Sequence, residues 1–332
     1  MRALKWVGVM VAGLAVIAGA IGWYGLAVPG TPHAGALPAA TTEEADLAQR
    51  LKRHVSTIAS EPHNLHHPAA LERAAVYIEQ TLAAYGFKAE RQVYEVAGKP
   101  TRNIFVTIDP KGGAKPSRTI VVGAHYDSWI DTPGANDNAT GTAAAMELAR
   151  LLGNLGSADT RLIVVLFTNE ENPYFGTRDW GSRRFAEMLA ERGEPVSAML
   201  SLETIGFYSD VPNSQKYPAP LGLFYPTTAN FVAFVAMPGS RTLMQKLIGA
   251  FRETTAFPTA GGVAPGFIPG IGWSDHKAFA DAGFEAVMIT DTALFRYAHY
   301  HKPTDTPDKV DHDRLARITK GIERAVRKLA SP

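Results

Sequence analysis

From Trp6 to Val28 the chain runs 23 residues without a charged side chain, behind Arg2 and Lys5. At 1.5 Å of rise per residue, a helix of that length crosses a hydrocarbon core of roughly 30 Å. The apolar core of a cleaved signal peptide is shorter, about 7–15 residues. The pattern therefore predicts a signal anchor and transmembrane helix over 1–28. Ala18-Gly19-Ala20 and Ala34-Gly35-Ala36 leave cleavage open, and a cleaved chain would be secreted. Positive residues before the run and none just after it place the N-terminus in the cytoplasm and the remainder outside, periplasmic or extracellular. A stretch rich in Pro, Gly and Ala follows, and reads as a linker over 29–41. The folded body then occupies 42–332.

Within that body the periodicity changes repeatedly. Thr41 and Glu44 have the spacing of a capping box and open a helix to about Ser60; a second runs from about Ala69 to Tyr85 and stops at Gly86. Short β-rich runs lie at 101–108, 118–124, 161–167, 196–202 and 284–290. Helical spacing appears at 139–153, 178–192, 239–253 and 311–329. Apolar runs such as Leu162 to Phe167 suit strands buried on both faces. The expected fold is α/β, a three-layer α/β/α sandwich around a mixed, mostly parallel sheet, preceded by the one transmembrane helix. Pro258 to Gly272, rich in Gly and Pro, reads as a long surface loop.

Composition narrows the chemistry. The net charge is +1, and no run of Lys or Arg interleaved with aromatics marks a nucleic-acid groove. Zero cysteines exclude disulfides, thiolate metal sites and a Cys nucleophile. No Gly-x-Ser-x-Gly supports a serine hydrolase.

The polar residues fall at the carboxyl ends of the expected strands, where open α/β sheets build their sites. One strand runs into His125-Tyr126-Asp127, the next into Asn169-Glu170-Glu171, and another ends at Glu203. Gly134 to Gly141, containing Asp137, opens a helix, and Tyr300-His301 to Asp305 follows the last strand. Singly, each has a plain structural role: a hydrogen-bonded histidine, an N-cap, a solvated loop. Asn138-Ala139-Thr140 also matches a glycosylation sequon, discounted because it lies inside the candidate site. Together, imidazoles and carboxylates without thiolate suit Zn²⁺, with Co²⁺ or Mn²⁺ as substitutes. Two such ions roughly 3.5–4 Å apart need a shared carboxylate, for which Asp137 is placed. Glu170 and Glu171 are neighbours pointing in different directions, so one can bind metal while the other accepts a proton.

The order of these motifs resembles the zinc aminopeptidases of the M28 peptidase family: His125-Tyr-Asp127-Ser, Asn136-Asp137-Asn-Ala-Thr-Gly141, Glu170-Glu171, the acidic residue before Ile205-Gly206, Ser274-Asp275-His276 and Tyr300-His301. The resemblance covers about residues 70 to 306. It implies that His125, Asp137 and Glu203 hold one zinc and Asp137, Glu171 and His301 the other. It makes Glu170 the general base and later the acid, and puts Asp127 behind His125, bonded to its imidazole. His276 and His299 are rival ligands to His301, which alone sits in the family's Tyr-His-x-Pro-x-Asp-Thr setting. The substrate implied is a peptide with a free N-terminus, and the bilayer is met through residues 6–28.

Two departures stand out. The family usually has Asp where Glu203 stands, and the segment from Glu171 to Gly181-Ser182 is longer than its usual short link, bringing in Tyr174, Phe175 and Trp180. That length is similar to the glutaminyl cyclases, which share the fold and use one zinc. The expectations are thus a membrane-tethered two-zinc aminopeptidase, a single-zinc cyclase, or a non-catalytic binding ectodomain on the same fold.

Overall fold

In the computed structural model, which describes residues 19, 22–219 and 221–331, the five expected β-rich runs and three further strands form one eight-stranded sheet. Its strands are β1 (Glu90–Val96), β2 (Lys99–Ile108), β3 (Arg118–His125), β4 (Thr160–Phe167), β5 (Val196–Glu203), β6 (Val232–Ala236), β7 (Thr259–Val263) and β8 (Ala286–Thr290). The spatial order is β1-β2-β4-β3-β5-β8-β6-β7. The centre is parallel: β3 pairs with β4 and β5, and β5 with β8. His125 lies beside Phe167 and Glu203 beside Thr290, so these four strands end together at one edge. The hairpin β1–β2 and the β8–β6 pair are antiparallel.

Helices cover both faces, as the alternating pattern predicts. On one side lie α1 (Thr42–Ile58), α2 (Pro68–Ala84), α3 (Thr140–Leu152), α5 (Arg241–Thr254) and α7 (His312–Ala330), which share the larger core with Val122, Val164 and Leu200. On the other, α4 (Gly181–Glu191) and α6 (His276–Asp281) pack Phe185, Leu189 and Phe279 against Val121, Val165 and Met199. The capping box at Thr41 and Glu44 is formed as its spacing predicts.

One buried charge ties three of these helices together. Glu147 of α3 accepts hydrogen bonds from Arg50 and His54 of α1, from Tyr85 beyond α2, and from Arg150. Burial alone would raise its carboxyl, but His54, Tyr85 and Arg150 outweigh that and bring it down to about 2.

Pro258 to Gly272 is not wholly the loop expected, because its first part is edge strand β7, parallel to β6. Small residues hid it: Thr259-Ala-Gly-Gly-Val263 has little apolar bulk, and its pairing comes from a strand remote in sequence. Most of the predicted transmembrane run lies outside the described residues. Among the described residues, no helix is long and apolar enough to cross a membrane. The stretch read as a linker runs along the body, where Arg252 donates to the Pro29 and Gly30 carbonyls and Arg317 to that of Pro38.

Candidate metal centre and active site

Because β3, β4, β5 and β8 end together, the side chains that follow them converge. His125 closes β3. Its Nδ1 lies 3.0 Å from the Asp127 carbonyl, and a carbonyl can only accept, so Nδ1 carries the proton. In the neutral ring Nε2 is then the lone pair a metal would use, and it is buried and without a hydrogen-bond partner. It faces Asp137 and Glu203, each at 3.4 Å, and Glu170 at 3.9 Å.

Asp137 stands where the chain turns into α3. The backbone N–H groups of Asn136 and Asp137 both donate to the Asp305 carboxylate, at 2.9 and 3.1 Å. A side chain at Gly141 is excluded, since its Cβ would lie 2.4 Å from the Leu202 carbonyl of β5. This close approach sets Asp137 beside the end of β5. One Asp137 oxygen meets His125, and the other lies 3.1 Å from His301 Nε2. His301 is also 3.4 Å from Glu171. Five non-glycine residues in the loops after β4, β5 and β8, namely Asn169, Thr204, Asn213, Thr292 and His301, hold positive φ, the strained backbone that collects at functional sites.

The candidate ligands thus form two overlapping groups, His125-Asp137-Glu203 and Asp137-Glu171-His301, each with donor atoms within 4.8 Å of one another. Asp137 belongs to both. Glu203, despite its extra methylene, reaches the first group, where Ser274 Oγ donates to it at 2.7 Å.

The electrostatics ask for a cation. Four carboxylates and two imidazoles share this space, and among the described residues no Lys or Arg pairs with Asp137, Glu170, Glu171 or Glu203. Burial, reinforced by Glu171 and Glu203 against the pull of His125, pushes Glu170 well above the usual carboxylate range. Burial and Asp137 raise Glu171 to about 7. Asp137 alone is held low, because His125 and His301 outweigh its burial. The orphaned His125 Nε2 and Glu171 Oε1, aimed into a space crowded with negative charge, fit divalent metal with N and O ligands.

One expectation needs correcting. The Asp127 carboxylate is not the acceptor for His125, standing 3.6 Å from Nδ1 while its own backbone carbonyl takes that bond. The carboxylate turns instead to the loop after β4, accepting the N–H groups of Glu170 at 3.1 Å and Glu171 at 3.2 Å. The rival histidines are elsewhere. His276 lies 2.8 Å from the Ile271 carbonyl and burial lowers it to about 4, while His299 pairs with Thr304. In the long 172–180 segment, Trp180 is buried and donates to Asp275 at 3.2 Å, with Phe175 against its ring.

Residues 103–326 match peptidase family M28. The chain is also 36% identical over 261 residues to the uncharacterized protein YfbL of Escherichia coli, a match covering 76% of this chain and 78% of that one. The chain belongs to peptidase family M28. Other curated relatives, named as zinc metalloproteases and aminopeptidases, are longer, and the chain spans about half their length. Among solved structures, an aminopeptidase from Aneurinibacillus has the same fold at a TM-score of 0.67 and 18% identity, covering 87% of this chain and 96% of that one. A glutaminyl cyclase from Fimbriiglobus ruber also shares it, at a TM-score of 0.62 and 18% identity, covering 91% and 99%. The resemblance to the M28 zinc metallopeptidases is therefore borne out, and the shared fold does not by itself separate the two chemistries.

Sequence reasoning missed three supports of this M28 site. Trp129 stacks flat on His301, with ring centroids 4.2 Å apart. Asp305, visible in the Tyr300 to Thr306 motif, went unassigned, and so did Asp291, which accepts from Asn136 Nδ2 and the Phe207 N–H. Beside Glu203 and Tyr300 opens a cavity of about 870 Å³, walled mainly by apolar groups such as Phe231, Ile268 and Trp273.

Proposed function

We propose that this chain is a membrane-tethered aminopeptidase that uses two zinc ions to remove N-terminal residues from peptides outside the cytoplasmic membrane. One observation carries the reading: Asp137 offers one oxygen to the His125 group and the other to the His301 group. Bound in the two groups, zinc supplies a polarised carbonyl and a water acidic enough to attack near neutral pH. His125, Asp137 and Glu203 hold one ion, and Asp137, Glu171 and His301 the other; Co²⁺ or Mn²⁺ can substitute.

Glu170 is the group left to move protons. It lies 3.9 Å from His125 Nε2, belongs to neither ligand group, and is kept in the site by the Asp127 clamp on its backbone. It accepts a proton from the attacking water and returns it to the departing amine. The apolar cavity beside Glu203 receives the first side chain. The tether is supported by the charge-free run from Trp6 to Val28, with the N-terminus inside, and cleavage of the run would release the body as a secreted enzyme.

A single-zinc cyclase acting on N-terminal Gln is the second reading, favoured by the long segment that brings Trp180 onto Asp275. The test is to incubate the full chain in detergent with free and N-acetylated peptides, with and without chelator, and to read products by mass spectrometry. Stepwise shortening blocked by acetylation and by chelator is expected. Loss of ammonia from N-terminal Gln alone moves the chain to the cyclases, and no change with metal bound moves it to a binding ectodomain.

A further inference from the structure

Several of the large apolar side chains left in water surround one cavity. Trp23, Phe224, Trp273 and Leu294 are exposed and line the cavity beside Glu203, while Leu223 and Phe267, next in sequence to the lining residues Phe224 and Ile268, are 82% and 85% exposed. They come from four separate segments of the chain, so no local pattern demands them. A contiguous apolar rim around a pocket marks an interaction surface.

The N-terminal segment borders this rim. Residues 22–26 are helical, and Gly22, Trp23, Gly25 and Leu26 form part of the wall of the same cavity. A Cβ at Gly25 would lie 2.8 Å from the Val263 carbonyl, so the segment rests directly on the backbone of edge strand β7. Three side chains of α5 hold it. Arg241 donates to the Tyr24 carbonyl at 2.8 Å and sets its guanidinium 4.6 Å from the centre of that ring. Gln245 donates to Ala27 O at 2.9 Å, and Arg252 to Pro29 O at 2.7 Å. The charge-free run from Trp6 to Val28 therefore ends on a fixed seat rather than a loose tether. Trp23 and Tyr24 stand near the end of that run, the place where aromatic rings settle at a membrane–water boundary.

We infer that the catalytic body docks on the outer surface of the bilayer through the rim formed by Trp23, Leu223, Phe224, Phe267, Trp273 and Leu294. The inference rests on the reading of the apolar run as a lipid-embedded anchor. If Trp23 and Tyr24 mark the headgroup level, the loops carrying Phe224 and Trp273, which wall the same cavity, lie at that level too. Their rings enter the boundary between headgroups and acyl chains, as on the apolar face of an interfacial helix. The cavity beside Glu203 then opens at the lipid surface, and its substrates are peptide ends lying there.

The absence of cysteine makes a direct test possible. Full-length F267C and L223C, with V93C as control, are labelled with an environment-sensitive fluorophore. They are then reconstituted in vesicles of phosphatidylethanolamine with a minority of phosphatidylglycerol. Val93 is 64% exposed on β1, at the opposite edge of the sheet from β7. Quenching by spin-labelled lipid several-fold stronger at 223 and 267 than at 93, with blue-shifted emission, is the expected result. Equal, water-like emission at all three positions in a chain that resists carbonate extraction overturns the docking and leaves the tether standing. Extraction by carbonate overturns the tether, and the docking falls with it.

Discussion

The indole of Trp129 lies flat on the imidazole of His301, with ring planes 7° apart. Tyr300 covers the other face at a centroid distance of 3.9 Å, so the ring is clamped from both sides. His301 has no backbone hydrogen bond to orient it comparable to that of His125, and stacking takes over that task. Replacing Trp129 with Ala should weaken metal at the His301 group by about 10–100-fold, the usual effect of losing an orienting neighbour. W129F should recover most of it. Zinc titration followed by calorimetry checks this, with the His125 group as an internal reference.

Glu170 should separate metal binding from turnover. In E170Q both candidate ligand groups keep every residue, so zinc content measured by elemental analysis should match the wild type. Turnover should fall by about 10²–10⁴-fold, the range for losing a general base. A fully metallated E170Q with undiminished turnover would remove Glu170 from the mechanism.

Asp127 is expected to act through the backbone. Its carboxylate takes two buried N–H groups, those of Glu170 and Glu171. D127A leaves both without a partner, at about 1–3 kcal/mol each. Thermal unfolding should show that loss, and kcat should fall because Glu170 is no longer held. D127N, which keeps one acceptor oxygen, should fall between the two.

Acid should act on Glu147 well away from the site. Its carboxyl is held at about 2 against an ordinary 4.5, so the folded chain keeps the ionised form more readily than the unfolded chain does. The stabilisation, on the order of 3 kcal/mol, is complete above pH 4.5 and disappears as pH falls through about 2. Urea unfolding of wild type and E147Q should therefore differ most near neutrality and converge in strong acid.

Much of the site was legible because its parts are local. Each strand-end motif carries its polar residues within a few positions of an apolar run, and parallel pairing of β3, β4, β5 and β8 brings the ends together. The place of Asp137 between the two candidate ligand groups also follows from setting it at a helix start beside those ends. What escaped depends on partners distant in sequence. Trp129 meets His301, and Asp305 reaches back to Asn136, through folding alone. Asp127 shows a subtler limit: its position two residues past His125 is local, but the direction its carboxylate takes is decided by the loop after β4. Strand β7 escaped for a related reason, since its glycines look like a loop until β6, remote in sequence, is seen paired with them.

Asp127 and Asp305 repeat one device: each buried carboxylate grips two consecutive peptide N–H groups next to the residues that face the metal groups. The ligand positions are thereby written into the main chain.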